Sequence, residues 1–97
     1  MKLLTIEKIK QTIEKIAPEY NLTKVTLFGS RATGKNREDS DVDLIVEFET
    51  EAVSLFTIAN LINRLEEIFG VGVDVIHAPI PENSILEIDK EIEIYAA

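Results

Sequence analysis

Hydrophobic positions along the chain change period several times, and each change marks an element. From Thr5 to Ala17, Ile6, Ile9, Ile13 and Ile16 recur at steps of three and four, the stripe of an amphipathic helix. Thr5 can cap its start, and Pro18 predicts its end just after Ala17. Lys24 to Phe28 is short, β-branched and aromatic, and predicts a strand that ends at Gly29-Ser30. Arg31 to Ser40 is polar, holds Gly34 and Asn36, and reads as a loop with room for one helical turn. Asp41 to Phe48 alternates, which places Val42, Leu44 and Val46 on one face of a strand and Asp41, Asp43, Ile45 and Glu47 on the other. Val53 to Phe69 carries Leu55, Ile58, Ile62, Leu65 and Phe69 at helical spacing and stops at Gly70. Val71 to His77 predicts a third strand, with Val73 and Val75 on one face and Asp74 and Ile76 on the other. After Pro79 and Pro81 the pattern is ambiguous. Ile85, Ile88 or Asp89, Ile92 and Tyr95 fit a final helix, whereas Ile92 and Ile94 alternate as in a short strand.

Composition narrows the setting. A chain of 97 residues fits one domain and leaves no room for a second, substrate-holding one. With 45% hydrophobic and 29% charged residues it is expected to build a real but small core. The net charge of -8 repels a phosphate backbone, and only Arg31, Lys35 and Arg37 gather basic charge, so no direct nucleic-acid binding is expected. No cysteine is present, which excludes disulfides and thiolate metal sites. Glu7 interrupts the start before any apolar run of signal-peptide length, and no stretch reaches the ~18 apolar residues of a membrane span. A cytoplasmic protein without membrane attachment is therefore expected.

The acidic strand changes the picture most. Asp41 and Asp43 share a face about 7 Å apart along the strand axis, where burial and mutual repulsion both cost free energy. A hard divalent cation relieves both, and Mg2+ suits the role because it takes one or two carboxylates and fills its remaining positions with water and phosphate oxygens. Gly29 lets backbone approach a phosphate closely, and the Ser30 hydroxyl can donate a further hydrogen bond. If the Gly29 and Asp41 strands pair, a triphosphate at the turn and a cation at the acids meet at one end of the sheet. Two ions about 3.5 to 4 Å apart then form the clamp of phosphoryl and nucleotidyl transfer. Asp74, on a neighbouring strand, would complete the second ion site or take the nucleophile's proton.

Gly29-Ser30, ten residues, then Asp41-Val42-Asp43-Leu44, with Arg31 and Gly34 between and Ser40 before the acids, resembles the signature of the polymerase-beta-type nucleotidyltransferases. The chain is most similar to the minimal, single-domain members. The resemblance runs over nearly the whole length and includes a third acid in Val73-Asp74-Val75-Ile76. It implies a single domain over 1-97 of the α/β (α+β) class, a small mixed sheet with helices mainly on one face. It also implies Mg2+-dependent transfer of AMP from ATP, with two ions at Asp41, Asp43 and Asp74, and phosphate at Gly29, Ser30, Arg31 and Ser40. Many minimal members are antitoxins that pair with a HEPN-domain RNase toxin and adenylylate it on a tyrosine, so a HEPN partner in a hetero-oligomer is implied as well.

Other readings of the same residues stand beside this one. A non-catalytic module of the same fold could mask a toxin by binding alone. Transfer to a small-molecule hydroxyl, as in aminoglycoside-modifying relatives, is a third possibility, though those relatives carry an additional helical domain. Arg31, Lys35 and Arg37 could neutralise phosphate or simply belong to a polar surface loop. His77 reads as a structural residue at a strand end and Tyr95 as core.

Overall fold

A computed structural model describes residues 4–50, 52–78 and 90–97 of the protein. Helix α1 spans Ile6–Tyr20, with the Thr5 side chain accepting from the Lys8 backbone N–H at 3.0 Å as its N-cap. The helix continues through Pro18 instead of stopping at Ala17, and ends where Asn21 takes the left-handed conformation at φ 55. Proline in the last turn forfeits one hydrogen bond without forcing an immediate end, and asparagine tolerates the left-handed cap better than most residues.

Strand β1 is Leu22–Phe28, followed by the four-residue helix α2 at Ser30–Thr33, strand β2 at Val42–Phe48, helix α3 at Leu55–Phe69 and strand β3 at Val73–His77. Ser54 caps α3 by accepting from the Thr57 N–H, and Gly70, at φ 74, ends it as expected. The chain closes with strand β4 at Ile92–Ala96. Of the two endings left open by periodicity, the strand is therefore present at Ile92; the part of the helical alternative over Ile85, Ile88 and Asp89 lies outside the described residues.

The four strands are ordered β3-β2-β1-β4 in one mixed sheet. β1 is antiparallel to both β2 and β4, while β2 and β3 run parallel. Helix α3 packs along β3, and α1 packs across β1 and β4. Val42, Leu44 and Val46 of β2 are each at most 1% exposed and join Val25, Leu27, Val73, Ile94, Ile9, Ile13, Leu61 and Leu65 in the core beneath the helices. Tyr95 packs against this core, and His77 sets its ring edge-on to Phe48 at 5.2 Å, both as expected of structural residues. At the end of the sheet where β2 finishes, Arg64 of α3 pairs with Glu19 of α1 at 2.9 Å and lies over the Tyr20 ring. No helix among the described residues is long and apolar enough to cross a membrane.

Candidate active site

The acids meet where β1 ends and β2 and β3 begin. Phe28 pairs with Asp43 across β1 and β2, and Asp43 pairs with Asp74 across β2 and β3. Register partners on parallel strands share a face, so the Asp43 and Asp74 carboxyls stand side by side on backbones about 4.8 Å apart. Asp41 precedes β2 on the same side, two residues from Asp43. Asp41 and Asp74 are exposed and Asp43 is half-buried, which makes the site an open ledge at the sheet's end.

Asp43 is a weaker acid in this setting, its pKa pushed from an ordinary 3.8 up to about 6. Burial is the main cause, followed by the hydrogen-bonding contact with the Asp74 carboxyl and the negative charges of Asp74 and Asp41. Among the described residues no lysine or arginine forms an ion pair with any of the three; the ion pair found there is Arg64–Glu19, far along the sheet.

Two glycines make room for the carboxylates. A Cβ on Gly29 would lie 2.2 Å from Asp43 Oδ2, and the residue also holds φ 76, so a side chain is excluded twice over. The glycine expected to admit a phosphate therefore first admits the acid of the neighbouring strand. Gly72 is the residue that sequence reasoning missed. Its φ is ordinary, yet a Cβ there would lie 2.6 Å from Asp41 Oδ1. Its carbonyl also accepts from the Val42 N–H at 2.8 Å, which brings the start of β2 to the entry of β3. Two glycines close together at 70 and 72, only one of them needed to end α3, were the available signal.

Ser30 follows Gly29 at the start of α2, and its hydroxyl makes no hydrogen bond among the described residues. Gly29, Ser30, Asp41, Asp43 and Asp74 are thus brought to one place. Arg31 and Ser40, both expected at the phosphate, make their contacts here with the loop. Arg31 is 4% exposed, with its guanidinium donating to backbone carbonyls: Nε and Nη2 to Ser40 at 3.1 and 2.8 Å, Nη2 to Glu38 at 3.1 Å, and Nη1 to Leu4 at 3.3 Å. The Ser40 hydroxyl accepts from the Arg37 N–H at 2.8 Å. Both side chains are engaged in holding the loop, because a polar loop folded on itself must satisfy its own carbonyls and N–H groups. Lys35 and Arg37 are exposed on that loop.

Among the described residues no three acidic or histidine side chains converge as a preformed metal cage. The donor set nevertheless fits a hard divalent cation. Asp41, Asp43 and Asp74 line one end of the sheet without a basic partner, and the raised pKa of Asp43, set first by burial and then by the neighbouring carboxylates, reflects a charge penalty that such an ion would relieve.

A glycine-serine turn beside an aspartate pair and a third in-register aspartate, on a mixed sheet with helices on one face, defines a nucleotidyltransferase. Residues 6–96 match the family model described as "Nucleotidyltransferase domain", and the chain belongs to that family. A relative named protein adenylyltransferase MntA, from Thermococcus cleftensis, is 34% identical over 80 residues, covering 78% of this chain and 80% of its own length. Among solved structures, a toxin-antitoxin complex with AMP-PNP contains a chain of the same fold, with TM-score 0.75 and 17% identity over 91% of this chain and 73% of that one. The complex of tri-AMPylated Shewanella oneidensis HEPN toxin with MNT antitoxin gives TM-score 0.68 and 14% identity, covering 96% and 74% of the two chains.

Proposed function

We propose that this chain transfers AMP from ATP to a tyrosine hydroxyl of a HEPN RNase toxin and so acts as its antitoxin, in a single domain over residues 1–97. The carrying observation is the row of Asp43 and Asp74 in register, with Asp41 beside them and the Gly29-Ser30 turn packed against Asp43. The exposed ledge supports an acceptor supplied by another macromolecule, since Asp41 and Asp74 lie open to solvent. The name of the Thermococcus relative and the antitoxin chains of similar fold support the same partner.

In this reading Gly29 and Ser30 hold the triphosphate, and Asp41, Asp43 and Asp74 hold two Mg2+ ions. Mg2+, when bound, supplies positive charge that stabilises the leaving pyrophosphate and makes the acceptor hydroxyl more acidic. The acceptor oxygen forms a bond to the α-phosphorus as the α–β phosphoanhydride bond breaks, pyrophosphate departs, and Asp74 takes the hydroxyl proton. The acids hold the reacting groups in line while the open edge admits the partner's tyrosine.

Incubation of the protein with labelled ATP, Mg2+ and a HEPN partner tests the proposal. The partner gains label, the label maps to tyrosine, and EDTA abolishes it; an unlabelled partner under all four nucleotides overturns the reading. Masking without catalysis is favoured by one observation, the 82% and 89% exposure of Leu55 and Phe56 at the start of α3. Asp41→Ala with Asp43→Ala separates the two, because masking survives that change and catalysis does not.

A further inference from the structure

We infer that Arg31 is a positioning residue, a guanidinium clip that fixes Asp41 relative to the Gly29-Ser30 turn; this rests on the nucleotidyl-transfer reading of the site. Arg31 sits in α2, one residue after Ser30, while its donors reach across to Glu38 and Ser40, just before Asp41. The two sides expected to hold triphosphate and cation are thereby joined through one side chain. A third carbonyl, that of Leu4, ties the approach to α1 into the same knot.

Asp41 needs such an anchor because it lies outside the strand and is exposed. On its C-terminal side the Val42 N–H is fixed to the Gly72 carbonyl at 2.8 Å. On its N-terminal side the Ser40 carbonyl accepts two bonds from Arg31. Asp41 is therefore held between two anchors, and its carboxylate rests where Gly72 has no side chain. A buried guanidinium is costly unless its donors are satisfied, and among the described residues it faces no carboxylate. The planar fork of arginine spreads its donors over three nitrogens to reach three separate carbonyls; a lysine ammonium keeps the charge but radiates its donors from a single atom.

The test compares wild type with Arg31→Lys in the full chain, using Mn2+ alone as a probe in calorimetric titration, together with amide exchange and steady-state kinetics. Loss of a residue that orients a ligand typically weakens metal binding about 10- to 100-fold, and that loss is expected here. Amides over 38–42 exchange faster while those of β1 and β4 keep their protection, and kcat falls with KM for ATP changed less than about threefold, the pattern of misplacement. Unchanged Mn2+ affinity, faster exchange throughout the chain, or a raised KM with kcat intact overturns the inference. If Arg31→Lys does not fold, Arg31→Gln, which keeps a donor for one of the carbonyls without burying a charge, takes its place. A several-fold weaker Mn2+ affinity then supports the clip, and unchanged affinity overturns it. Wild type that binds Mn2+ but transfers no AMP sinks the transfer reading alone, whereas wild type that binds no Mn2+ sinks this inference.

Discussion

Strand β2 presents opposite chemistry on its two faces. Val42, Leu44 and Val46 point beneath the helices with at most 1% exposure, while on the other face Asp43 and Glu47 remain half-buried on either side of the buried Ile45. One face gains free energy from apolar burial; the other gathers carboxylates that repel one another and lose solvation. Two demands coexist on seven residues because the side-chain period of a strand is two, so a change on one face leaves the other in place. Substitution on the acidic face is expected to remove activity without unfolding, and substitution on the apolar face to do the reverse.

The largest effect is expected from Asp43→Asn, which lowers the rate of AMP transfer by roughly 10³-fold or more, a loss comparable to that of a strong electrostatic stabiliser. Its circular dichroism spectrum should match wild type; retained transfer would break the division. Next, Leu44→Ala on the opposite face costs about 3 kcal/mol of stability, read by urea denaturation, with the folded fraction still active. Gly72→Ala comes third. Its added Cβ must displace the Asp41 carboxylate, so transfer falls about 10- to 100-fold while the melting temperature changes little, since the backbone there is ordinary and the clash is with a side-chain end.

The fourth expectation concerns pH. Asp43 titrates at about 6 in the native protein against an ordinary 3.8, so between these values the folded state keeps a proton that the unfolded state has released. Rising pH through that window removes stability from the metal-free protein. At pH 7 Asp43→Asn is therefore more stable than wild type, by about 1 kcal/mol after solvent screening is allowed for, and the difference vanishes towards pH 4. Thermal melts in EDTA across this range check the sign, and Mg2+ should narrow the gap by stabilising wild type. The smallest effect is expected at Phe56→Ser, whose side chain is 89% exposed: less than about 0.5 kcal/mol in stability, with any loss confined to assays that include the partner.

Most of the architecture was readable because alternation and helical stripes report burial directly. The β2 faces, the Thr5 cap of α1 and the Gly70 stop of α3 all follow from local patterns. Local pattern misled where tertiary context decided. Pro18 reads as a breaker, yet it stands in a last turn that tolerates its missing N–H. Ile92 fits a helical series with Tyr95 and an alternating one with Ile94, and pairing with β1 selects the strand. At the site, Gly29, Ser30, Asp41, Asp43 and Asp74 were legible from residue type and spacing. Arg31 was not, because an arginine in a polar loop looks the same whether it faces a ligand or three carbonyls. Gly72 escaped because its contact is with a residue 31 positions away, and no local rule demands glycine there.

That last contact has a consequence for descent. At Gly29 the positive φ alone keeps the residue small, whatever happens to its neighbours. At position 72 the steric demand among the described residues comes from the Asp41 carboxylate. A descendant that loses this acid also loses the reason for glycine at 72, and alanine becomes admissible there. In a lineage of such chains, an alanine at 72 would therefore act as a scar, marking copies in which the acid at 41, and with it the chemistry, has been given up.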